Sequence, residues 1–291
     1  MYRSIIMKAL IISGGGSRAA WASGVVKYLT QSGKKYDIIT GISSGALCAG
    51  FLGQYENDIY GAEALVEFWK NINQKDIYKH WFPFGYLHAL WKKSAYNSKP
   101  LWKMVEKEIK TQSLQLSGKK IAVGAVCLNN GEYKLFKEND DNFVKGMLAS
   151  SAFPGAFCPV EIDGKLWVDG GVRHLTPIGS AIKMGATEMD IIITSKAKSK
   201  KGNNNDSTST IPLVLRSLNV MRQEISEGDI ETLRLYNELV KAGKCTDKKY
   251  IEYNLFRPKN HLVGNILEFD KSEINKNIIL GYDDAKRILG G

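Results

Sequence analysis

Short apolar runs alternate along the chain with longer segments in which apolar residues recur at the spacing of a helix. The short runs predict buried strands, and the longer segments predict amphipathic helices. The predicted strands are 8–13, 36–40, 120–128, 133–137, 165–168, 189–194 and 250–256. The predicted helices are 18–31, 44–52, 63–71, 142–149, 177–184, 212–241 and 271–289. Strands and helices that take turns in this way predict an α/β fold with a mainly parallel sheet.

One segment, 195–210, interrupts this alternation. It is basic at its start, then small and polar, with no apolar residue after Ala197. That composition predicts a mobile loop. The elements in 211–291 are too few to form an independent core, so we expect them to pack on the motif-bearing part, 7–194. The prediction is therefore a single domain over residues 1–291.

Composition and charge add a class of partner. The chain is 44% hydrophobic and 24% charged, as in ordinary globular proteins. It has 40 Lys and Arg against 30 Asp and Glu, and the net charge of +10 favours anionic partners such as lipid headgroups or nucleic acid. Three of the four cysteines lie in apolar runs, which indicates buried thiols in a reducing compartment.

The apolar runs also bear on localisation. None of them is long enough to span a bilayer. The N-terminal run, 9–12, is too short for a secretion signal and has no cleavage site after it. We therefore expect a cytoplasmic protein whose contact with membranes, if it has any, is peripheral.

A glycine loop follows the first predicted strand, in ALIISGGGSRAAWASGVV. Backbone N–H groups at the start of a helix can stabilise a negative charge, so the loop from Gly14 to Arg18 is a candidate oxyanion hole. Gly14, Gly16 and Ala19 also satisfy the dinucleotide-binding pattern G-x-G-x-x-G/A. Nucleotide binding needs an acidic residue at the end of the second strand, whereas Asp37 comes before that strand's apolar run. A tight crossover without chemistry is the third interpretation.

The motif Gly41-Ile42-Ser43-Ser44-Gly45 lies between the second predicted strand and a helix of small residues. A G-x-S-x-G turn in this context projects its central serine above the sheet as a nucleophile elbow. The alternative is that Ser43 or Ser44 simply caps the helix. The motif alone supports both interpretations equally.

A serine nucleophile needs a base, and histidine is the usual one. The four histidines are His80, His88, His174 and His261. The first two lie in an aromatic stretch, and His261 has no motif around it, although a triad that uses it stays open. No histidine is therefore favoured as the base.

An aspartate is the better candidate for the base. In KLWVDGGVRHLTPIG, Asp169 closes an apolar strand, and Gly170 and Gly171 follow it. Ligand sites of parallel sheets lie at the C-terminal ends of the strands, so we expect Asp169 near Ser43, within reach as a general base. An Asp-Gly turn without chemistry is the alternative.

These motifs, in this order, resemble those of the patatin-like phospholipase family. The resemblance rests on Gly14-Gly15-Gly16-Ser17-Arg18, Gly41-Ile42-Ser43-Ser44-Gly45 and Asp169-Gly170-Gly171. The segment SSAFPGAFCPV (150–160) and the C-terminal ILGYDDAKRIL extend it over about residues 7–290. Two positions depart from the family pattern: Ala19 stands where a glycine is common, and Leu175 where an asparagine is common.

The resemblance implies a three-layer α/β/α fold and hydrolysis of lipid acyl esters, with no cofactor and no metal. It implies Ser43 as the nucleophile, Asp169 as the base and the loop from Gly14 to Arg18 as the oxyanion hole. Two other hypotheses are a catalytically silent lipid-binding adaptor and a nucleotide-binding protein that uses the loop from Gly14 to Ala19.

An aromatic–basic segment, 78–103, mixes tryptophan, phenylalanine and tyrosine with lysines. Such a mixture favours contact with an anionic membrane surface, or a cap over an acyl-chain pocket. The alternative is that these rings form the core of a capping subdomain. Nucleic-acid binding also uses basic and aromatic residues, but the chain has no recognisable module for it, so we expect a lipid partner and no nucleic acid.

Overall fold

The computed structural model describes residues 6–82, 91–197, 210–245 and 248–290. The strands are β1 (Lys8–Ile12), β2 (Ile38–Gly41), β3 (Lys120–Cys127), β4 (Tyr133–Lys137), β5 (Val160–Ile162), β6 (Lys165–Asp169), β7 (Glu188–Ile192) and β8 (Glu252–Phe256). The helices are α1 (Ala19–Gln31), α2 (Ser44–Leu52), α3 (Asp58–Asn71), α4 (Gln74–Ile77), α5 (Lys99–Glu108), α6 (Thr111–Leu116), α7 (Phe143–Ser150), α8 (Ile178–Lys183), α9 (Thr210–Lys241) and α10 (Lys271–Ile288). Two short 3-10 helices span Gly16–Arg18 and Gly170–Val172.

All eight strands belong to one sheet. Strands β3, β2, β1, β7 and β8 lie side by side in that order and are parallel. Strands β4 and β6 pair with β3 in the antiparallel sense, and β5 pairs with β6. The prediction of an α/β fold with a mainly parallel sheet is confirmed.

The sheet is the middle of three layers, as alternate residues of β1 show. Leu10 and Ile12 belong to the larger core cluster, together with apolar residues of α1, α2, α3, α7 and α10. Ala9 and Ile11 belong to the second cluster, together with apolar residues of α8 and α9. Because both faces of the sheet are covered, its central strands are continuous apolar runs rather than alternating ones.

The structure adds elements that periodicity did not predict. Strand β5 is too short for a periodic signal, but the Asp-Gly pair that follows it in the sequence is typical of a hairpin turn. Asp163 and Gly164 both have positive φ, 53° and 71°, and join β5 to β6 as a two-residue hairpin. Helix α3 begins at Asp58 rather than at residue 63, because the Asn57 side chain accepts hydrogen bonds from the N–H groups of Ile59 and Tyr60.

The predicted loop can be compared with the structure only at its two ends. Residues 198–209 of the predicted loop 195–210 lie outside the described residues, and the last residue of that prediction, Thr210, is the first residue of α9. Within the described ranges, no helix is long and apolar enough to cross a membrane.

Helix α10 packs directly on α1 through two glycines. A Cβ on Gly281 would collide with the Trp21 carbonyl oxygen, and one on Gly24 would collide with that of Ile278. Trp21 also donates from Nε1 to Asp284 Oδ2, at 3.1 Å. The backbones of α10 and α1 are therefore in direct contact at these two glycines.

We predict that Gly281→Ala lowers the free energy of unfolding by about 1–3 kcal/mol, because the added methyl group forces the two helices apart. Urea denaturation measures this change. The matched control is Gly228→Ala in α9, where a Cβ would have no neighbour within 4 Å; it should raise the free energy of unfolding by about 0.5–1 kcal/mol. A Gly281→Ala protein as stable as the wild type would contradict the close packing.

Candidate active site

Two strands that run toward each other bring Ser43 and Asp169 to one place. Strand β4 occupies one edge of β3, so β2 and β6 share the other edge: β2 lies beside residues 120–123 and β6 beside residues 125–127. Strand β2 is parallel to β3 and β6 is antiparallel, so their C-terminal ends meet. Gly41 lies opposite Val123, and Asp169 lies opposite Ala125.

Asp169 is the last residue of β6, as the sequence predicted. The reason why it lies at the C-terminal edge of the parallel strands differs from the predicted one. The expectation took β6 as one of the parallel strands, whereas β6 is antiparallel to β3. Asp169 still lies at the C-terminal edge because β3 continues beyond the end of β2, and β6 returns along that extension. The β5–β6 hairpin, which periodicity missed, produces this reversal.

The gap between the two strand ends is narrow. A Cβ on Gly170 would collide with the Gly124 carbonyl oxygen and lie 3.1 Å from Ile42 Cδ1. The N–H of Gly171 donates to Asp169 Oδ1 at 2.8 Å, which holds the carboxylate in place. The glycines after Asp169 thus allow close approach and orient its side chain.

Ser43 has the backbone conformation of a nucleophile elbow, with φ 58° and ψ −131°. This positive φ is costly for a residue with a side chain. Gly41 and Gly45 permit it, because a Cβ on Gly41 would collide with the Gly45 carbonyl oxygen, and one on Gly45 with that of Ile12. Ser43 stands at the N-cap position of α2, but its side chain makes no capping hydrogen bond.

Two serines at the end of α7 hold the backbone of Ser43. Its N–H donates to Ser150 Oγ at 3.0 Å, and its carbonyl oxygen accepts from Ser151 Oγ at 3.2 Å. Both serines open the segment 150–160, which carried part of the family resemblance. Their role in supporting the elbow was not predicted, because a hydrogen bond between distant residues leaves no periodic signal.

The glycine loop touches Ser43. A Cβ on Gly14 would lie 2.5 Å from Ser43 Cβ. Gly16 has φ 60°, and a Cβ there would collide with the Ile266 carbonyl oxygen. Within the described residues, the N–H groups of Gly14 and Gly16 make no hydrogen bond. They are the free donors of the predicted oxyanion hole.

The other three amides of the loop are already engaged. The N–H of Gly15 donates to Ser44 Oγ at 3.1 Å, that of Ser17 to the Ile266 carbonyl oxygen at 3.0 Å, and that of Arg18 to the Gly15 carbonyl oxygen at 3.3 Å. The acceptor for the Gly15 N–H is a hydroxyl group, which can rotate away and free this donor. The acceptors for Ser17 and Arg18 are backbone carbonyl groups, which cannot.

An arginine that the sequence analysis did not select lies beside Asp169. Arg222, on α9, places Nη2 at 3.6 Å from Asp169 Oδ2, and its Cζ lies 4.9 Å from the centroid of the Phe153 ring. Asp169 is buried, and Oδ2 accepts no hydrogen bond within the described part of the chain. A single arginine in an amphipathic helix has no sequence signature that points to a site.

Apolar side chains surround Ser43. The lining residues are Gly16, Ser43, Ser44, Leu47, Trp69, Ile77, Leu101, Ser151, Phe153, Phe157, Arg222, Ile266, Leu267 and Phe269. The free volume among them is about 40 Å³, which is room for water and too little for an acyl chain. A longer ligand therefore requires these side chains to separate.

None of the described histidines lines this cavity. His174 Nδ1 lies 3.1 Å from Asp229 Oδ1, and its ring meets the ring of Tyr133 edge-on. His80 packs edge-on against Tyr96. His88 lies outside the described residues. Among the described residues, no group of three or more His, Cys, Asp or Glu could hold a metal ion.

A family model for patatin-like phospholipases matches residues 10–182 of this chain. The match covers more than half of the chain, and the protein belongs to the patatin-like phospholipase family. The matched range includes the glycine loop, Ser43 and Asp169. The resemblance seen in the motifs is confirmed, and membership of this family supports lipid hydrolysis as the activity.

Two solved structures are similar to this fold. VipD from Legionella pneumophila matches with a TM-score of 0.51 and 13% sequence identity, over 98% of this chain and 67% of that chain. The type III effector protein ExoU matches with a TM-score of 0.45 and 12% identity, over 98% of this chain and 53% of that chain. The similarity to VipD supports the fold and, at this identity, nothing further.

We predict that Ser43→Gly unfolds at a higher urea concentration than Ser43→Ala, by about 1 kcal/mol in free energy of unfolding. Glycine releases the cost of a positive φ, which exceeds glycine's own entropy cost. The same pair of substitutions at Ser44, inside α2, should give the opposite order, because glycine destabilises a regular helix. Equal stability of the two Ser43 variants would mean that the elbow is unstrained.

Proposed function

We propose that this protein is a lipid acyl hydrolase of the phospholipase A or lysophospholipase type, working through a dyad of Ser43 and Asp169. The meeting of β2 and β6 is the observation that carries the proposal. It supports the dyad because a strained serine without a capping role follows one strand end, and the other strand end carries a buried carboxylate oxygen that accepts no hydrogen bond from the described residues.

In the proposed reaction, Ser43 Oγ attacks the ester carbonyl carbon while Asp169 takes the hydroxyl proton. The tetrahedral intermediate then collapses, Asp169 returns the proton to the leaving alcohol, and an acyl-enzyme remains. Water then attacks the acyl carbon while Asp169 takes its proton, the bond from that carbon to Ser43 Oγ breaks, the fatty acid leaves, and Asp169 returns the proton to Ser43 Oγ. No hydrogen bond joins Ser43 to Asp169 in this ligand-free conformation, and such bonds often form only in the complex with substrate.

The negative charge on the tetrahedral oxygen needs donors that are fixed before the reaction. The free amides of Gly14 and Gly16 fit this role, and the amide of Gly15 joins them if the Ser44 hydroxyl turns away. Loss of one such donor typically costs about 3 kcal/mol in the barrier. Ser17 and Arg18 support the loop in this proposal through their backbone bonds.

We propose that residues 1–291 form one domain and that the site draws on both its N-terminal and its C-terminal parts. Residues of the matched range supply the nucleophile and the base, while Arg222 on α9 and Ile266 before α10 complete the cavity wall. Packing of α10 on α1 supports this arrangement. We propose a lipid substrate, no cofactor and no nucleic-acid partner.

We predict that Ser43→Ala and Asp169→Asn each reduce hydrolysis of a soluble acyl ester by about a thousandfold or more, because the two groups act as a unit. Ester hydrolysis and labelling by a fluorophosphonate probe measure this. Exposed Ser217→Ala and Asp141→Asn are matched controls and should behave as wild type.

Three outcomes would separate the alternatives. Full activity of Ser43→Ala would contradict the mechanism. Vesicle binding by wild type without hydrolysis or labelling would favour the silent adaptor, and saturable binding of a dinucleotide would favour the nucleotide-binding protein.

We also propose peripheral contact with an anionic membrane by a cytoplasmic enzyme, through part of the aromatic–basic segment. Tyr78 is buried and donates to the Leu267 carbonyl oxygen, so the start of the segment belongs to the core. Phe82 and Trp91 are 90% and 79% exposed, and Lys92 follows directly. Exposed rings beside lysines suit the headgroup region of a bilayer.

We predict that Phe82→Ala combined with Trp91→Ala weakens binding to phosphatidylglycerol vesicles about tenfold or more, because two exposed rings no longer insert. Sedimentation with vesicles measures the affinity. Leu116→Ala, which also removes an exposed apolar side chain, should leave it unchanged. Unaltered vesicle binding by the double variant would locate the membrane contact elsewhere.

A further inference from the structure

Arg222 lies on α9, outside the range matched by the family model. It is the one charged side chain in the described lining of the Ser43 cavity. A Cβ built on Gly14 would lie 2.7 Å from Arg222 Nη2 and 2.5 Å from Ser43 Cβ. The guanidinium is therefore next to both members of the proposed dyad.

Two of the three guanidinium nitrogen atoms of Arg222 lack a hydrogen-bond acceptor among the described residues. The side chain is only 11% exposed, and its Nε and Nη2 atoms are buried and have no hydrogen-bond partner among the residues that the structure describes. At 3.6 Å, the contact with Asp169 Oδ2 is too long for a hydrogen bond. Buried donors of this kind are normally paired, and their fork geometry matches the oxygens of a carboxylate or a phosphate.

The position of Arg222 is fixed by its own helix. Two residues on the same face of α9, Ser226 and Asp229, bind the loop that follows Gly171. Ser226 Oγ lies 2.9 Å from Thr176 Oγ1, and Asp229 Oδ2 accepts from the N–H of Thr176 at 2.9 Å. These bonds hold Arg222 at the site in the absence of substrate.

Apart from Ser43, Ser44 and Ser151, the rest of the described cavity lining carries no polar side chain and suits an acyl chain once the side chains separate. In an acylated glycerophospholipid, only glycerol carbons and oxygens separate the ester from the phosphate. A lipid whose ester carbonyl is at Ser43 would thus carry its phosphate close to Arg222. A diacylglycerol or another neutral ester has no group for these donors.

We propose that Arg222 binds the phosphate of the substrate and makes the enzyme selective for phosphate-bearing acyl lipids over neutral esters. This inference rests on the proposed function. Phosphate oxygens accept the fork of N–H donors, and the guanidinium turns from Asp169 toward the substrate. Asp169 Oδ2 then loses its arginine neighbour and is free to take the proton of the Ser43 hydroxyl in the proposed reaction.

The test compares dihexanoylphosphatidylcholine with dihexanoylglycerol, both kept monomeric so that membrane binding does not contribute. The measured quantity is the ratio of kcat/KM for the phospholipid to kcat/KM for the neutral ester. We expect the wild type to favour the phospholipid, and Arg222→Ala to lower the ratio by about 10- to 100-fold. Arg222→Lys should fall between them, because an ammonium keeps the charge but loses the fork.

The matched control is Arg234→Ala, which removes an exposed arginine from the same helix and should keep the wild-type ratio. Thermal unfolding establishes that each variant is folded. An unchanged ratio in Arg222→Ala, an equal loss on both substrates, or a wild type that prefers the neutral ester would overturn the inference. None of these three outcomes would contradict ester hydrolysis by Ser43.

A second measurement does not require turnover. In Ser43→Ala protein, calorimetry of a dihexyl ether analogue of phosphatidylcholine should show saturable binding, weakened about tenfold or more by adding Arg222→Ala. Equal binding by both proteins would overturn the inference. A wild type that hydrolyses neither ester but shows this dependence on Arg222 would refute the proposed function and keep the phosphate site.

Discussion

The site depends on two strand ends that meet on one edge of β3. Strand β2 arrives from one direction and β6 from the other, and Gly124 lies between the positions that they pair with. The residues at this junction must be small, because a side chain on Gly170 would collide with the backbone of β3. Main-chain hydrogen bonds of a sheet, rather than flexible side chains, therefore set the separation between Ser43 and Asp169.

The supporting parts act on the backbone of the elbow. Ser150 and Ser151 bond to the N–H and carbonyl groups of Ser43, and the glycine loop packs against its Cβ. A residue at positive φ persists only where its surroundings hold it, and these contacts come from two separate parts of the fold, the end of α7 and the glycine loop. The elbow is thus a property of the assembled domain and not of its own five residues.

Much of this arrangement could be predicted from the sequence. Apolar runs and glycine motifs are local signals, and they predicted every described strand except β5, the strand–turn–helix around Ser43 and the residue that ends β6. The direction of β6 could not be predicted in the same way, because an apolar run has the same pattern in both directions, and the Asp163-Gly164 turn that indicates it was not recognised. Arg222 was missed for a related reason: its importance comes from contact with Asp169 across the fold, and nothing in its neighbours along the chain marks it.

The hairpin turn at Asp163 and Gly164 lies several residues before Asp169 and helps to determine to which face of the sheet that carboxylate points. Successive side chains of a strand point to opposite faces, so a slip of one residue in the pairing of β6 with β3 would turn the carboxylate of Asp169 to the other side of the sheet. The two-residue turn pairs Ile162 with Lys165 and so fixes the residue at which β6 begins, four positions before Asp169. A shift of β6 along β3 by a single residue would therefore keep both side chains in the protein but separate Ser43 from Asp169 in space.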